Sequence, residues 1–191
     1  MDSTSKPACG AASETSIKLT ALDSACETSF NKGHYQLIFD KTGNAEVFFR
    51  YKAHLIEVNK LQIGITIGKY TKDEAIEQIR KGLVYAMRTG DRLVLYCGNI
   101  APDFKEGLSS DAQNFPSELV FNFAEWRKEA NYKKIVREDE DHDLMGNKKC
   151  FWMNDKFNLI VLQNDDDEET RQELIDRIPH IESFDIINIQ A

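Results

Sequence analysis

Apolar residues that alternate with polar ones mark the first strongly patterned part of the chain, residues 34–68. Residues 35–39 place an apolar side chain at every second position, which is the period of a strand with one buried face. The turn-forming residues 40–44 follow, and a second apolar run comes at 47–51, so the pattern predicts a β-hairpin. The period of two continues through residues 54–67. Strands are therefore predicted for most of this part.

A helix and a buried strand are predicted directly afterwards. Thr71 and Glu74 fit a capping box, in which each side chain binds an otherwise unpaired backbone amide at a helix start. Apolar residues then recur at spacings of three and four up to Met87, and Gly90 suits the left-handed position that ends a helix. The apolar run 92–97 is typical of a strand buried on both faces of a parallel sheet. Together they form half of a βαβ unit.

The rest of the chain continues the alternation of helices and strands, and no repeat is visible. Helices are predicted for 118–130 and from residue 170 to Pro179, and strands for 133–136, 150–152, 157–162 and 184–189. This order favours a single α/β domain over residues 34–191, with a mainly parallel sheet flanked by helices and an N-terminal β-hairpin. Residues 1–33 contain only isolated apolar positions and are predicted to be a flexible, disordered tail.

Composition narrows the class of protein. The chain has 191 residues, 41% of them hydrophobic, and a net charge of −8. It contains no run near the roughly 18 apolar residues of a membrane span, and its negative charge gives no reason to expect binding to nucleic acid or an anionic membrane. Its four cysteines form no CxxC pair, and the N-terminus lacks the features of a secretory signal. We expect a soluble, cytoplasmic protein.

The segment from Gly64 to Thr71 stands between a predicted strand and a predicted helix and contains a glycine-lysine pair, Gly68-Lys69. A phosphate loop needs four residues between its glycines and a hydroxyl residue directly after the lysine. Here three residues separate Gly64 from Gly68, and Tyr70 follows the lysine. A strand end that leads into a capped helix is the favoured interpretation. The alternative is a nucleotide site formed by Gly64, Gly68, Lys69 and Thr71.

Two acidic runs are candidate contact surfaces. Asp139, Asp141 and Asp143 have the spacing that begins a calcium loop, but Leu144 stands where that loop needs a glycine, and no glutamate occupies its twelfth position. These residues and a second run are therefore expected to be solvated acids, which could contact a basic partner surface. The second run is Asp165, Asp166 and Asp167, at the start of a predicted helix, where negative charge is favourable.

Nucleophilic and metal chemistry have weaker signatures. The four histidines have no ligand spacing among themselves, and no GxSxG sequence is present. Cys97 ends a predicted buried strand, a place where some α/β enzymes keep reactive groups. An unpaired cysteine is more often a small buried hydrophobe. We predict no catalytic residue and no metal ligand, and keep a thiol enzyme based on Cys97 as a third hypothesis.

A longer pattern occupies the middle of the chain. The helix that ends in Ala86-Met-Arg-Thr-Gly90 leads to the strand Leu93-Val-Leu-Tyr96, and a break is followed by Pro102-Asp103. In this order the sequence segments resemble the later AAA modules of dynein heavy chains, and the predicted strand 157–162 resembles a further strand of their sheet. The resemblance covers about residues 55–191.

The resemblance implies a degenerate P-loop NTPase-like module, in the half that carries the Walker B and sensor strands. The strand that matches Walker B ends in Cys97-Gly98 in place of paired acids, which implies that the carboxylates for metal and water are absent. Asn164 would end the sensor strand. The implied role is a non-hydrolysing scaffold in a cytoskeletal or ciliary setting.

We therefore expect a protein-interaction or scaffold domain, in preference to an enzyme, with no cofactor. Its partner would be a protein, one with a basic surface if the acidic runs form the contact, and neither nucleic acid nor a membrane is expected to bind. The nucleotide-binding protein that uses Gly68-Lys69 is the alternative.

Overall fold

The computed structural model describes residues 10–164 and 166–190. Its strands are β1 (Ser13–Lys18), β2 (Tyr35–Asp40), β3 (His54–Glu57), β4 (Arg92–Gly98), β5 (Asn158–Asn164) and β6 (Phe184–Gln190). Its α-helices are α1 (Leu22–Asn31), α2 (Asn44–Lys52), α3 (Val58–Thr66), α4 (Lys72–Thr89), α5 (Ser117–Val120), α6 (Phe123–Trp126), α7 (Glu129–Tyr132) and α8 (Glu168–Arg177). Short 3-10 helices occur at Leu19–Ala21, Lys133–Ile135 and Ile181–Ser183.

The strands form one sheet in the order β1-β6-β2-β5-β4-β3, and each neighbouring pair is parallel. β2 lies inside the sheet between β6 and β5, and all six of its residues are buried. A parallel sheet of this kind needs cover on both faces, and helices provide it. The predicted α/β class, with a parallel sheet flanked by helices, is confirmed.

Two apolar clusters lie on the two faces of the sheet. On one face α1 and α2 pack their buried side chains against alternate strand residues such as Ile38 and Ile160. On the other face α3, α4, α8 and the segment between β4 and β5 pack against Leu37 and Val161. The helices α2 and α8 therefore cover opposite faces, which decides where the loops before them lie.

The most strongly predicted helix, α4, has the predicted ends. The Thr71 amide donates to Glu74 Oε2 at 2.8 Å, and the Glu74 amide donates to Thr71 Oγ1 at 3.2 Å, so the capping box is formed. Gly90 has a φ of 78° and its amide donates to the Ala86 carbonyl at 2.9 Å. Strand β4 follows as predicted.

A buried arginine fixes α4 to the segment that precedes β5. The Arg80 side chain is fully buried and its guanidinium donates to both oxygens of Glu77 and both oxygens of Glu140, at 2.7–2.9 Å. It also donates to the Ile135 carbonyl at 2.7 Å. All the donors of this buried cation therefore have acceptors, as its burial requires.

The predicted β-hairpin is wrong. Its first strand exists as β2, but the apolar run at 47–51 lies in helix α2 and β2 pairs only with parallel strands among the described residues. Ala45 and Phe49 are the buried side chains of α2, and their spacing of four places them on one helical face. The short apolar run fits a strand and a helix equally well.

The strand predicted at 61–67 is also wrong, because β3 ends at Glu57 and α3 begins at Val58. In α3 the residues Val58, Leu61 and Gly64 are buried and Ile63 is exposed, which is a period of three and not of two. The alternating isoleucines thus lie on both sides of a helix.

The flexible tail predicted for residues 1–33 contains ordered elements. β1 pairs with β6 from Ser13 to Lys18, and α1 buries Leu22 and Cys26 against the sheet. The strand belongs to the same sheet as the rest, so the α/β domain begins before residue 34. Residues 1–9 lie outside the described residues.

Three further predictions need correction. The helix predicted at 118–130 consists of the three short helices α5, α6 and α7, since Asn122 starts a new helix by accepting the Glu125 amide at 3.2 Å. Residues 133–136 contain a 3-10 turn, not a strand. Residues 150–152 are not a strand either, because the Phe151 amide donates to Asp141 Oδ1 at 3.0 Å.

Among the described residues, none of the helices combines the length and the apolar character that crossing a membrane would require.

Candidate functional site

The carboxyl ends of β2 and β5 lie side by side in the middle of the sheet, and we call the region just beyond them the crevice. The two strands are neighbours, and Asp40 of β2 is paired with Asn164 of β5. The chain leaves β2 toward α2 on one face and leaves β5 toward α8 on the other. In open α/β sheets ligands bind outside the carboxyl ends of the strands at this kind of reversal. This crevice is therefore the first place to look for a functional site.

The turn that leaves β2 is closed by an aspartate. Asp40 is 1% exposed. Its Oδ1 accepts the amide and the hydroxyl of Thr42 at 2.8 and 2.7 Å, and its Oδ2 accepts the Ala45 amide at 2.6 Å. Gly43, with a φ of 69°, allows the chain to turn into α2 between these contacts.

The contacts of Asp40 define an anion position at the start of α2, which we call the α2 anion position: the space bounded by the amides of Thr42 and Ala45 and the hydroxyl of Thr42. A helix N-terminus at the end of a central strand is where α/β proteins bind phosphate groups. Here the Asp40 carboxylate accepts the hydrogen bonds from these donors. The next amide, that of Asn44, also has an acceptor, because it donates to Thr42 Oγ1 at 3.2 Å. A phosphate would have to displace Asp40.

The neighbouring strand ends supply amide and phenol groups. Asn164 Nδ2 donates to the Tyr96 hydroxyl at 3.2 Å and to Asn99 Oδ1 at 2.6 Å. Burial raises the pKa of Tyr96, so its hydroxyl keeps its proton. β4 ends in Cys97-Gly98 beside this cluster. The amide groups of Asn164 and Asn99 and the Tyr96 hydroxyl hold one another by hydrogen bonds, and the Glu46 carboxylate also hydrogen-bonds Tyr96 and raises its pKa.

The segment from Gly64 to Thr71 does not form a phosphate loop. It joins helix α3 to helix α4, whereas a phosphate loop follows a strand, and Gly64 lies inside α3. The amides of Lys69 and Tyr70 donate to the Gly64 carbonyl at 2.8 and 3.2 Å. Gly68 has a φ of 73°, which a tight turn requires.

The four residues of this nucleotide-binding alternative are therefore used within the turn. Lys69 Nζ lies 5.2 Å from the centre of the Tyr70 ring, and Thr71 is engaged with Glu74 in the capping box. Gly64 provides room for the Tyr70 ring, which a Cβ at that position would meet at 2.3 Å. The contacts of these residues are those of a turn that packs helix α3 against helix α4.

Asp139, Asp141 and Asp143 lie in one loop, which the carboxylates of Asp141 and Asp143 stabilise. Asp143 Oδ2 accepts the Asn147 side-chain amide at 2.7 Å, and Oδ1 accepts the Asn147 backbone amide at 2.9 Å. These bonds hold the pKa of Asp143 below its ordinary value. Asp141 accepts the Phe151 amide, whereas Asp139 is exposed.

The second acidic run follows the carboxyl end of β5 and leads into α8. Asp167 caps α8 by accepting the amide and the hydroxyl of Thr170, each at 2.7 Å, and Asp166 is exposed. Asp165 lies outside the described residues. The first run is anchored instead by Arg88, which is in the last turn of α4 and donates to the His142 carbonyl at 3.1 Å. The two runs are therefore not one surface.

The cysteines of the described residues are unpaired. Cys26 and Cys97 are buried and Cys150 is exposed. Burial raises the pKa of Cys26 to about 12 and that of Cys97 further, and the Cys97 thiol contacts the Leu95 carbonyl at 3.7 Å. A thiol in this state is a poor nucleophile.

Within residues 10–164 and 166–190, no group of three or more His, Cys, Asp or Glu side chains is arranged to hold a metal ion. Comparison of the chain with known protein families, with curated proteins and with solved structures finds no match in any of the three.

The sequence interpretation missed the turn from Asp40 to Asn44 as a site. It was assigned to a hairpin because glycine and asparagine favour such turns. The signal available was the spacing of Ala45, Phe48 and Phe49, which fits a helix directly after the turn.

Proposed function

We propose that this chain is a non-catalytic α/β module that works by binding another protein, and that it is related to a degenerate AAA or P-loop NTPase fold. The observation that carries the proposal is the Asp40 carboxylate at the α2 anion position. It takes the amides that a phosphate would need, and at 1% exposure it is part of the core.

Two features of the sheet support the relation to P-loop proteins. The strands that resemble the Walker B and sensor strands, β4 and β5, are adjacent and parallel, as that resemblance implies. Asn164, the residue carried over from the sensor strand, lies opposite Asp40 at the crevice. We include in this proposal the cytoskeletal or ciliary location that the resemblance suggests.

The protein-binding part of the proposal is supported by large apolar side chains on the surface. Singly exposed apolar residues are common, but groups of them mark contact sites. Several occur near one another along the chain: Val47 and Tyr51, Ile63 and Ile67, Leu144 and Met145, with Tyr85 and Trp152 in addition.

Thermal unfolding with ATP, ADP and GTP, each with magnesium, tests the proposal against nucleotide binding. A ligand at a hundred times its dissociation constant adds about 2.7 kcal/mol to the stability of a protein that binds it. We expect no shift in the melting temperature of the wild-type chain. A shift would overturn the part of the proposal in which Asp40 excludes nucleotide, and would favour the nucleotide-binding alternative.

The same experiment on Lys69→Ala tests the glycine-lysine alternative. A wild-type shift that disappears in this variant would assign nucleotide binding to the Gly68-Lys69 turn. A shift that persists in Lys69→Ala and disappears when the turn after β2 is altered would assign it to the crevice.

A further inference from the structure

The outer edge of the sheet is open at β3. Among the described residues β3 is hydrogen-bonded to β4 alone, and it is the last strand in the sheet order. An edge strand presents unpaired amide and carbonyl groups along its free side. An extended peptide can bind to such an edge as an additional strand, with affinity from the main chain and specificity from nearby side chains.

A groove of about 580 Å³ follows this edge, and we call it the β3 groove; it is lined by the residues of β3 and by side chains of α3 and α4. Ile56 and His54 face α4, since a Cβ at Gly82 would meet Ile56 Cδ1 at 2.4 Å and His54 Nε2 at 3.0 Å. Leu55 packs with the cluster on the opposite face. Because residues from both faces line one groove, the groove runs along the edge itself.

The groove offers aromatic and apolar surface. Tyr85 is 46% exposed, and its ring centre lies 5.0 Å from that of His54. Tyr70 and Leu61 also line the groove. Tyrosine is among the residues that contribute most to binding energy at protein interfaces.

Two lysines and one glutamate line the groove. Lys60 and Lys81 line it, with side chains 68% and 65% exposed. Glu57, the acid of β3, is bound by Lys60 at 2.8 Å and by Arg50 at 2.7 Å. Arg50 is also paired with Glu46, and Lys81 Nζ lies 3.7 Å from Glu77 Oε1. The excess of positive charge at the groove is therefore that of its lining residues, two lysines against one glutamate, in a chain whose net charge is −8.

We propose that the β3 groove binds an acidic, extended segment of a partner protein, which adds to the sheet as a strand beside β3. The free edge supplies main-chain hydrogen bonds, Tyr85 and Ile56 supply apolar contact, and Lys60 and Lys81 attract the acidic side chains. A second copy of the chain is a poorer occupant, because pairing β3 with β3 would bring two positive rims together. This inference rests on the proposed protein-binding function and names its surface.

The test uses random peptides of about twelve residues displayed on phage and selected on the full chain. Enriched peptides are synthesised, and their dissociation constants are measured by fluorescence anisotropy. We expect enriched sequences to be acidic and rich in β-branched residues. Their affinity should fall by about tenfold, which corresponds to about 1.4 kcal/mol, in the double variant Lys60→Glu with Lys81→Glu.

The matched control is Lys128→Glu with Lys133→Glu. These two lysines are also exposed and also form ion pairs with acids three and four residues before them, Glu125 and Glu129. We expect the control to bind the peptides as the wild type does. Methylating alternate backbone amides of the peptide should abolish binding in one register and not in the other, because only alternate amides face β3.

Four results would overturn the inference: no enrichment on the wild type, enrichment of peptides that are not acidic, equal weakening by the control variant, or binding that methylation of either register leaves unchanged. A dimer in sedimentation without peptide binding would assign the edge to a second copy instead. None of these results involves nucleotide, so failure here is separate from failure of the non-catalytic account.

Discussion

Replacing Asp40 with alanine removes the carboxylate that occupies the α2 anion position. The carboxylate accepts three hydrogen bonds, from the amide and hydroxyl of Thr42 and the amide of Ala45. Losing a helix-capping acceptor costs about 0.5–2 kcal/mol, and a buried amide left without an acceptor costs about 1–3 kcal/mol. We therefore expect Asp40→Ala to lower the free energy of unfolding by about 3 kcal/mol. In a chain of this size the melting temperature should fall by roughly 6–12 °C.

Urea denaturation followed by circular dichroism measures this loss, and inorganic phosphate tests its cause. In Asp40→Ala the α2 anion position is vacated, so phosphate can bind there and accept hydrogen bonds from the freed amides. Phosphate at ten times its dissociation constant should restore about 1.4 kcal/mol. Chloride at the same ionic strength should restore little, because the effect depends on the shape of the anion and not on screening.

Asp167→Ala is the matched control. Asp167 also accepts the amide and the hydroxyl of a threonine at a helix start, but it is exposed to solvent. It should cost less than Asp40→Ala, and phosphate should not rescue it. The reasoning is refuted if Asp40→Ala is as stable as the wild type, or if phosphate stabilises the wild type as much as the variant.

Three further outcomes follow from the packing. Arg80→Met should cost about 2–4 kcal/mol, since it leaves partly buried acids without their partner. Burial raises the pKa of Glu140, but the hydrogen bonds from Arg80 lower it by more and hold it below its ordinary value. The free energy of unfolding of the wild type should therefore fall as the pH drops through that lowered pKa. Urea titrations at each pH should show a smaller fall for Arg80→Met. Iodoacetamide on the native chain should label Cys150 and spare Cys97, as peptide mass spectrometry would show. Gly82→Ala should cost about 1–3 kcal/mol by overpacking, measured by thermal unfolding; an unchanged melting temperature would contradict the close approach of α4 to β3.

The parts of the fold that local chemistry determines could be predicted from the sequence. The capping box at Thr71, the left-handed glycine at Gly90 and the continuous apolar run of β4 each depend on neighbouring residues only. The same holds for β5 and β6, whose apolar runs are buried on both faces.

The errors occurred where a short apolar run fits two periods. Residues 47–51 and 61–67 were predicted as strands and lie wholly or mainly in helices α2 and α3, because burial against the sheet selects a period of three to four there. β1 was missed because its residues are mostly polar and its strand partner is β6, which is more than 160 residues away along the chain. Tertiary contacts of that kind leave little trace in local sequence.

The candidate site could not be predicted because it depends on the order of the strands. Asp40 and Asn164 are far apart in sequence and become neighbours only through the pairing of β2 with β5. Recognising Asp40 as the acceptor at a helix start also required knowing that a helix follows it. The β3 groove likewise depends on which strand ends the sheet.

Equilibrium dialysis of the purified wild-type chain against radiolabelled ATP with magnesium, combined with a count of released phosphate, tests the central claim most directly. With the Asp40 carboxylate bound to the amides of Thr42 and Ala45, the account predicts no saturable binding and no turnover above a blank without protein. One equivalent of bound ATP, or phosphate release that scales with protein concentration, would contradict it.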